Sequence, residues 1–574
     1  MPGSGGVAHR TPVDLLTGRA GDAPVVDVQW WLLALAAALI AVWLALDPRT
    51  PDLAAQVYRV GLFGRLGFAV WDTHWYAGHG VLGYSLIYPP LASLVGMRVL
   101  AAGCVLASSV LFWRLVRTVY GQAARWGAAW FAVAALGDVW IGRLTFALGV
   151  TLALAAGLAL ARGRWLWAGV LAAVCAAASP VAGALLGLAG LTLALERRSP
   201  RALLVLAAPA AVVVLAQAAL FPEGGYEPYP FLSFAATLGV VVAFLWALPP
   251  AARLLRIGGW VYLLACAACL AVHTPIGSNV ERYGVLLAGP LLLCARLTAR
   301  GGGKGVGGTG VGGTPGAGVG AIARWRATPA SAALALCAIA VWVVWGPVRE
   351  TLAVAGSEAT SAAYYAPVER FVARVQAASG SPVRVEVPLT RSHWEAALLA
   401  PSVSLARGWD KQDETRFDRV LLTPGLTAAS YERWLDQQAV SYVALPDVAL
   451  DPSSAQEGRL IRGGLPFLRE VFRSAHWRVF RVLSTTPLSS GPGRLTSIGG
   501  DSFSLLARTP GSFLVRVRFT RYWTLTRGVG CVAPAPGGWT SVSLRAPGPA
   551  VIAARFSLAR AFGAERSCRG GASS

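Results

Sequence analysis

Runs of apolar residues about 17–22 long recur from Trp30 to Trp345, each long enough to cross a hydrocarbon core of roughly 30 Å. About eleven can be drawn, at 28–46, 95–113, 124–141, 145–161, 165–179, 181–195, 202–220, 231–249, 258–272, 283–299 and 329–346. The fourth to sixth are short and closely spaced, so a count of about ten to twelve stays open. With 55% hydrophobic and 14% charged residues, a soluble globular chain is excluded and a polytopic α-helical membrane protein is expected. The first run starts near Val28 and is too long for the apolar region of a cleaved signal, which predicts a retained first helix.

Arginines set the expected orientation, because cytoplasmic turns collect Lys and Arg. Alternate turns hold Arg114, Arg117 and Arg125, then Arg162 and Arg164, Arg197, Arg198 and Arg201, Arg253 and Arg256, and Arg296 and Arg300. The opposite turns hold Asp47, Asp52, Asp72, Asp138, Glu223, Glu227 and Glu281. This predicts a cytoplasmic tail (1–27), a membrane domain (28–300), a Gly-rich cytoplasmic linker (301–328), a last membrane helix (329–346) and an extracytoplasmic domain (350–574). The formal charge of +22 invites a nucleic-acid reading. Much of the excess is inner-face Arg, which meets anionic membrane lipid instead, so no nucleic-acid partner is expected.

The last part changes character. Helical spacing appears at Ala366–Gln376 and Ala428–Gln438, and alternating strands such as VRVEVPL, SYVALP, WRVFRVL, FLVRVRF and VSLRA follow between Gly, Pro and Ser turns. That pattern predicts an α+β domain whose last third is a β-sandwich. Cys531 and Cys568 are the only cysteines there, and a pair in an oxidising compartment predicts a disulfide. Cys266 and Cys269 form a CxxC inside an apolar run with no second pair, which reads as packing.

The polar chemistry gathers in the first outer loop. Asp52, Gln56 and Arg59 fall on or near one face of a short interfacial helix. An ionisable group at a membrane interface is a functional candidate, although Asp52 also suits a plain helix cap. WDTHWYAGHG adds Asp72, His74 and His79 between Trp71, Trp75 and Tyr76. These are oxygen and nitrogen donors that a divalent cation takes, with Asp52, Asp72 and His74 the candidate ligands. The Trp and Tyr faces suit either the interfacial aromatic belt or a sugar ring. Tyr84 opens YSLIYPP, whose Pro-Pro end cannot continue a regular helix. On other outer turns, Arg143 and Arg282 are natural phosphate partners through forked hydrogen bonds, while Glu281 beside Arg282 suits the dipole of a helix start.

A first helix, a long first outer loop carrying an acid, many short turns and a soluble C-terminal domain together resemble the GT-C superfamily of integral-membrane glycosyltransferases. The pattern DLAAQVYR…GF…WDTHWYAGHG…GYSLIYPPL is similar to actinobacterial membrane proteins related to the 6-pyruvoyl-tetrahydropterin-synthase-associated membrane domain. The resemblance covers roughly 28–300. It implies a polyprenyl-phosphate sugar donor, an envelope glycan or lipid acceptor at the outer face, and a first-loop Asp, matched by Asp52, that either activates the acceptor hydroxyl or binds a metal. The loop holds no DxD and no adjacent Asp-Glu pair. The expected activity is inverting glycosyl transfer, with Asp52 as base, Asp72 as second acid, Arg143 and Arg282 on the donor phosphate, and Gln56, Arg59, His74, Trp75, Tyr76, His79, Tyr84 and Glu281 around the substrates. The alternatives are a transporter or flippase of envelope precursors, and a non-catalytic scaffold of envelope assembly.

Overall fold

A computed structural model describes residues 30–222, 224–301 and 328–563. The polar tail, most of the Gly-rich linker and Cys568 lie outside the described residues. Each expected apolar run is helical: α1 (Trp30–Leu46), α4 (Met97–Tyr120), α5 (Ala124–Ile141), α6 (Leu144–Ala161), α7 (Trp165–Ala178), α8 (Pro180–Arg197), α9 (Arg201–Leu220), α10 (Phe231–Ala247), α11 (Arg253–Ala271), α12 (Glu281–Gly301) and α13 (Pro329–Val354). By length and composition, 6 stretches are long and apolar enough to cross a membrane, with α4 and α5 taken as one, or up to 7 if a bent pair counts as a span. Helices α7 and α10 are apolar but shorter. That is fewer than the expected eleven.

The bent pair is α1 and α2 (Pro51–Leu66), which turn on each other by 84°. Pro51 opens α2, where a missing N–H costs nothing. The buried residues of α2 include Gln56, Tyr58, Arg59 and Leu62. After it, WDTHWYAGHG folds into a two-strand ribbon, β1 (Trp71–Asp72) against β2 (His79–Gly80), with Asp72 directly opposite His79. A short helix α3 (Tyr88–Val95) starts at the Pro-Pro break.

The C-terminal half has three sheets. A five-stranded mixed sheet runs β4 (Ser404–Leu405), β3 (Arg384–Glu386), β5 (Tyr442–Pro446), β7 (Trp477–Val482) and β6 (Leu468–Arg473). Helices α14 (Ala362–Ser379), α15 (Glu395–Leu398), α16 (Lys411–Phe417), α17 (Arg419–Leu422), α18 (Ala428–Gln437) and α19 (Ala455–Arg462) intervene. Two antiparallel four-stranded sheets follow, built from β8 (Ser489–Ser490), β9 (Gly493–Ile498), β10 (Ser502–Ala507), β11 (Gly511–Arg518), β12 (Trp523–Arg527), β13 (Gly530–Ala535), β14 (Trp539–Leu544) and β15 (Gly548–Ala554). Their orders are β12-β15-β10-β9 and β13-β14-β11-β8. Phe503, Phe513, Val515, Val542 and Ile552 fill one core between them. This is the β-rich region the alternation predicted, and it ends in the single turn α20 (Leu558–Ala561). Cys531, in β13, is disulfide-bonded; the other six cysteines, Cys266 and Cys269 included, are free.

The two halves share a core. Tyr58 and Leu62 of α2, with Trp75 and Tyr76 of the ribbon turn, pack into the same apolar cluster as Val385, Val387, Tyr365 and Trp477. At the other side of α2, the α5–α6 turn fits only because of Gly142. Its φ is +100°, and a Cβ would stand 2.3 Å from the Leu53 nitrogen. The Thr50 hydroxyl ties the same corner by donating to the carbonyls of Trp140 and Ile141, at 3.0 and 2.8 Å.

Gly142→Ala should therefore cost about 1–3 kcal/mol, the range for a strained backbone, and should push the α5–α6 turn off α2. Thermal unfolding in detergent checks this; an unchanged midpoint contradicts the close approach.

Candidate active site

Pressing the α5–α6 turn against the first turn of α2 brings Arg143 to Asp52, with Nε 3.6 Å from Oδ2. Arg143 Nη1 also donates to Asp138 Oδ1 at 3.3 Å. From the start of α12, Arg282 reaches the same place, within electrostatic range of Asp52, Asp138, Arg143 and Tyr84. Its guanidinium lies over the Phe146 ring at 5.1 Å and donates to Asn279 Oδ1. The group remains reachable: the Asp52 side chain is 36% exposed and that of Arg143 24%. Three buried polar atoms here, Arg143 Nε, Arg282 Nε and Asp138 Oδ2, have no hydrogen-bond partner among the described residues. Buried polar atoms are rarely left unmatched without a reason, and a forked donor with a spare N–H suits an anionic oxygen.

One wall is Tyr84, whose hydroxyl accepts from Gln56 Nε2 at 2.9 Å and whose ring carries the Arg59 guanidinium at 3.8 Å. Glu227 stands near Arg282 and Lys411. Glu227 Oε1 accepts from the Ser278 hydroxyl at 3.2 Å, and burial pushes its carboxyl up to about 7 despite Arg282 and Lys411 nearby. Phe146 and Tyr283 form part of the wall of a cavity of about 360 Å³ among the helices, lined also by Phe112, Leu154, Phe244 and Tyr262 and reaching Tyr120 and Arg197 at the far ends of α4 and α8. Its size is in the range of small-molecule sites, roughly 300–1,000 Å³.

Asp72 takes no part in this group. It is fully buried, accepting from the Tyr58 hydroxyl at 2.8 Å, with His74 Nδ1 at 3.3 Å and His79 Nε2 at 3.2 Å. The far nitrogen of His79 lies 3.6 Å from Asp413 Oδ2 on α16. Arg59 and Asp410 close the same seam at 2.5 Å, and the Tyr76 hydroxyl donates to the Asp410 carbonyl at 3.0 Å. The reading of Asp72 as a second catalytic acid thus gives way to a structural one, since no reacting group can reach it. Trp75, with no exposed surface, stacks on Tyr58 at 4.3 Å and on His79 at 5.4 Å. Trp75 and Tyr76 are therefore closed to a sugar ring. Glu281 turns into the bundle, where Oε1 accepts from Thr237 at 3.0 Å.

The expected metal ligands are divided in the same way. Asp52 faces Arg143, whereas Asp72 and His74 face each other, and among the described residues no group of three His, Cys, Asp or Glu side chains is disposed to hold a metal ion. The donor set does not fit a cation site built on Asp52, Asp72 and His74. Sequence reasoning missed Asp410 and Asp413. The signal was present: Asp410 caps α16, its side chain accepting from Gln412 N, and Asp413 is one helical turn on.

Charge holds the seam. For Asp72, burial acts to raise the carboxyl, but the hydrogen bonds from His74 and His79 prevail and hold it well below the usual range. For His79, burial acts to lower the imidazole, and the bond to Asp72 with the nearby Asp413 raises it. Burial, then Asp410, pushes Asp413 up to about 7.

No family model matches the chain, and no curated protein does. Among solved structures it is similar to the arabinofuranosyltransferase AftD from Mycobacteria, at 13% identity and a TM-score of 0.44 over 92% of this chain. The chain spans 57% of the length of that protein. It is similar also to ArnT from Cupriavidus metallidurans, at 16% identity and 0.42 over 80% of this chain and 99% of that one. A third is the archaeal oligosaccharyltransferase AglB from Archaeoglobus fulgidus, at 11% and 0.30 over 73% of this chain and 69% of that one. Likeness of this degree carries no argument about activity.

Two outcomes follow from the seam. Asp72→Asn should destabilise the protein by about 3–5 kcal/mol, the cost of breaking a buried ion pair. In pH, the raised Asp413 loses its contribution from about pH 4 up to about 7, and the raised His79 loses its own from about pH 6.5 upward. The depressed Asp72 contributes fully above about pH 4. Amide exchange across Asp72–Gly80 should therefore quicken, beyond its intrinsic rate, as pH rises from 5 to beyond 7. In Asp413→Asn the lower half of that rise should vanish; a wild-type profile that is flat contradicts the assignment.

Proposed function

We propose that the protein is a membrane glycosyltransferase that moves a sugar from a polyprenyl-phosphate donor to an envelope glycan or lipid acceptor. The observation that carries the reading is the joining of two unlike sites. A partly exposed acid stands with two arginines, and Phe146, which lies under the Arg282 guanidinium, also lines an apolar cavity in the bundle. A lipid phosphate has this division of chemistry: an anion for Arg143 and Arg282, and an isoprenoid chain for the cavity. A solute carrier needs polar groups where the substrate crosses, and the residues around this cavity are overwhelmingly apolar, which favours transfer over transport.

In the reaction, the acceptor hydroxyl oxygen attacks the anomeric carbon as the bond from that carbon to the donor phosphate breaks. Asp52 takes the hydroxyl proton late in the step, and the polyprenyl phosphate leaves with its added charge facing Arg282 and Arg143. Before donor binds, Arg143 is engaged by Asp52; a phosphate competing for that guanidinium frees the carboxylate. Inversion at the anomeric carbon follows from a single displacement. On the Arg pattern, we place the N-terminus in the cytoplasm, the remaining apolar helices across the cytoplasmic membrane, and residues 350–574 outside. The first-loop pattern groups the chain with the actinobacterial proteins named above.

Asp52→Asn should lower sugar transfer about 100-fold or more while costing only about 0.5 kcal/mol of stability, as surface substitutions do. Arg282→Lys keeps the charge but loses the fork, so it should raise the KM for donor more than it lowers kcat. The assay is transfer of labelled sugar from a polyprenyl-phosphate pool at matched expression. Full transfer by Asp52→Asn removes the proposed base and leaves a scaffold as the better reading.

A further inference from the structure

The edge of the β-sandwich nearest the helix ends carries apolar side chains that the described residues leave exposed. Phe556 is 48% exposed, Leu558 59% and Phe562 75%, all within a few residues at and around α20. Isolated exposed apolar residues need no explanation, but a contiguous group marks an interaction surface. This group is rigidly mounted. Arg521 donates to the Ala561 carbonyl, and Arg560 Nη1 donates to the Trp523 carbonyl at 2.9 Å.

Its position identifies what covers it. The Tyr522 hydroxyl donates to the carbonyl of Leu220, the last residue of α9. Phe221, next along, packs its ring against Tyr522 at 6.2 Å and against Phe556 at 5.8 Å. The patch therefore adjoins the end of α9, along which Val212 and Leu215 are exposed. A second point fixes the level of the same sandwich. Its β9–β10 turn rests on the end of α2: a Cβ at Gly500 would stand 2.7 Å from Leu66 Cδ1, and Thr73 N donates to the Gly500 carbonyl at 2.7 Å. Leu66 and Phe68 are exposed beside it. Arg555, whose side chain is 64% exposed and lies 3.4 Å from Asp501, sits at the rim where lipid headgroups would be. Aromatic and leucine side chains bordered by arginine are what an interfacial segment presents to a bilayer.

We infer that the β-sandwich is seated in the membrane surface, with Phe556, Leu558 and Phe562 inserted among the lipids of the leaflet on its side. The sandwich then lies on the bilayer instead of standing above it, held at a fixed height by α9 on one side and α2 on the other. This inference needs only that α9 crosses the membrane and is independent of the transferase reading.

The test uses the full chain in nanodiscs of phosphatidylcholine and phosphatidylglycerol doped with a lipid whose acyl chain carries a diazirine. After photolysis, peptide mapping should find lipid adducts on 556–562 several-fold above those on β6, whose Val471 is an exposed apolar residue of the same half. In Leu558→Glu/Phe562→Glu the adducts should fall to the β6 level. Labelling of 556–562 no higher than β6, labelling only by a headgroup diazirine, or protein–protein cross-links there in place of lipid would each overturn the inference. The wild-type result decides alone if the double variant does not fold.

Discussion

Asp72 and His79 face each other across a ribbon only two residues wide, and the far nitrogen of the imidazole reaches Asp413 on α16. The rest of the architecture hangs on this seam. α16 is held from behind by Arg407, which bonds Glu414 at 2.8 Å and Glu457 at 3.1 Å with no exposed surface to speak of. In front, α16 grips the loops that lead out of the bundle: Asp410 takes Arg59, Gln412 donates to the Pro275 carbonyl at 3.1 Å, and Thr415 donates to the Tyr226 carbonyl at 2.9 Å. Arg518 of β11 adds the sandwich, donating to the Tyr76 carbonyl at 2.7 Å while lying over the Phe417 ring at 3.6 Å. The loops around the Asp52 group are thus fixed by the C-terminal half, and a buried charge pair is the part least able to yield, because breaking it leaves an uncompensated charge.

That arrangement separates the acids by environment. Asp72 is buried, hydrogen-bonded on both oxygens and enclosed by Tyr58, Trp75 and His79, which suits it to hold a loop and to nothing that needs a reactant. Asp52 sits in the first turn of α2 with one loose cationic partner and part of its surface open. Its position owes nothing to the seam directly, but the groups opposite it do. Tyr84 is set by Gln56 and Arg59, Arg59 by Asp410, and the Glu227 loop by Thr415. Rigid support behind an open acid is how a site is preorganised.

Much of this was legible in the sequence, and what was not has identifiable causes. The apolar runs declared their helices because each repeats the same chemistry for a full crossing, and β3, β5, β7, β11 and β14 declared themselves by alternation. The cluster of Asp52, Arg143 and Arg282 could be named from charge and side of the membrane alone. Its proximity to Asp138 and Phe146 could not, since that depends on Gly142 letting the α5–α6 turn touch α2. The aromatics of WDTHWYAGHG misled for a physical reason. A Trp that suits a sugar also suits a core, and only the approach of α15 and α16, more than three hundred residues away in the chain, settles which. By length and composition the crossings number 6 or 7 because α4 and α5 run as one stretch, α1 qualifies only with α2, and α7 and α10 are apolar without being long.

The central claim is that a lipid phosphate sits between Arg143 and Arg282 with its chain in the cavity behind Phe146. A density map of the full chain in nanodiscs with polyprenyl phosphate added tests it most directly. The account predicts phosphate density touching both guanidiniums, Asp52 released from Arg143, and continuous chain density running past Phe146 between α6 and α12. Phosphate bound elsewhere, with the cavity empty and the Asp52–Arg143 contact intact, would contradict it.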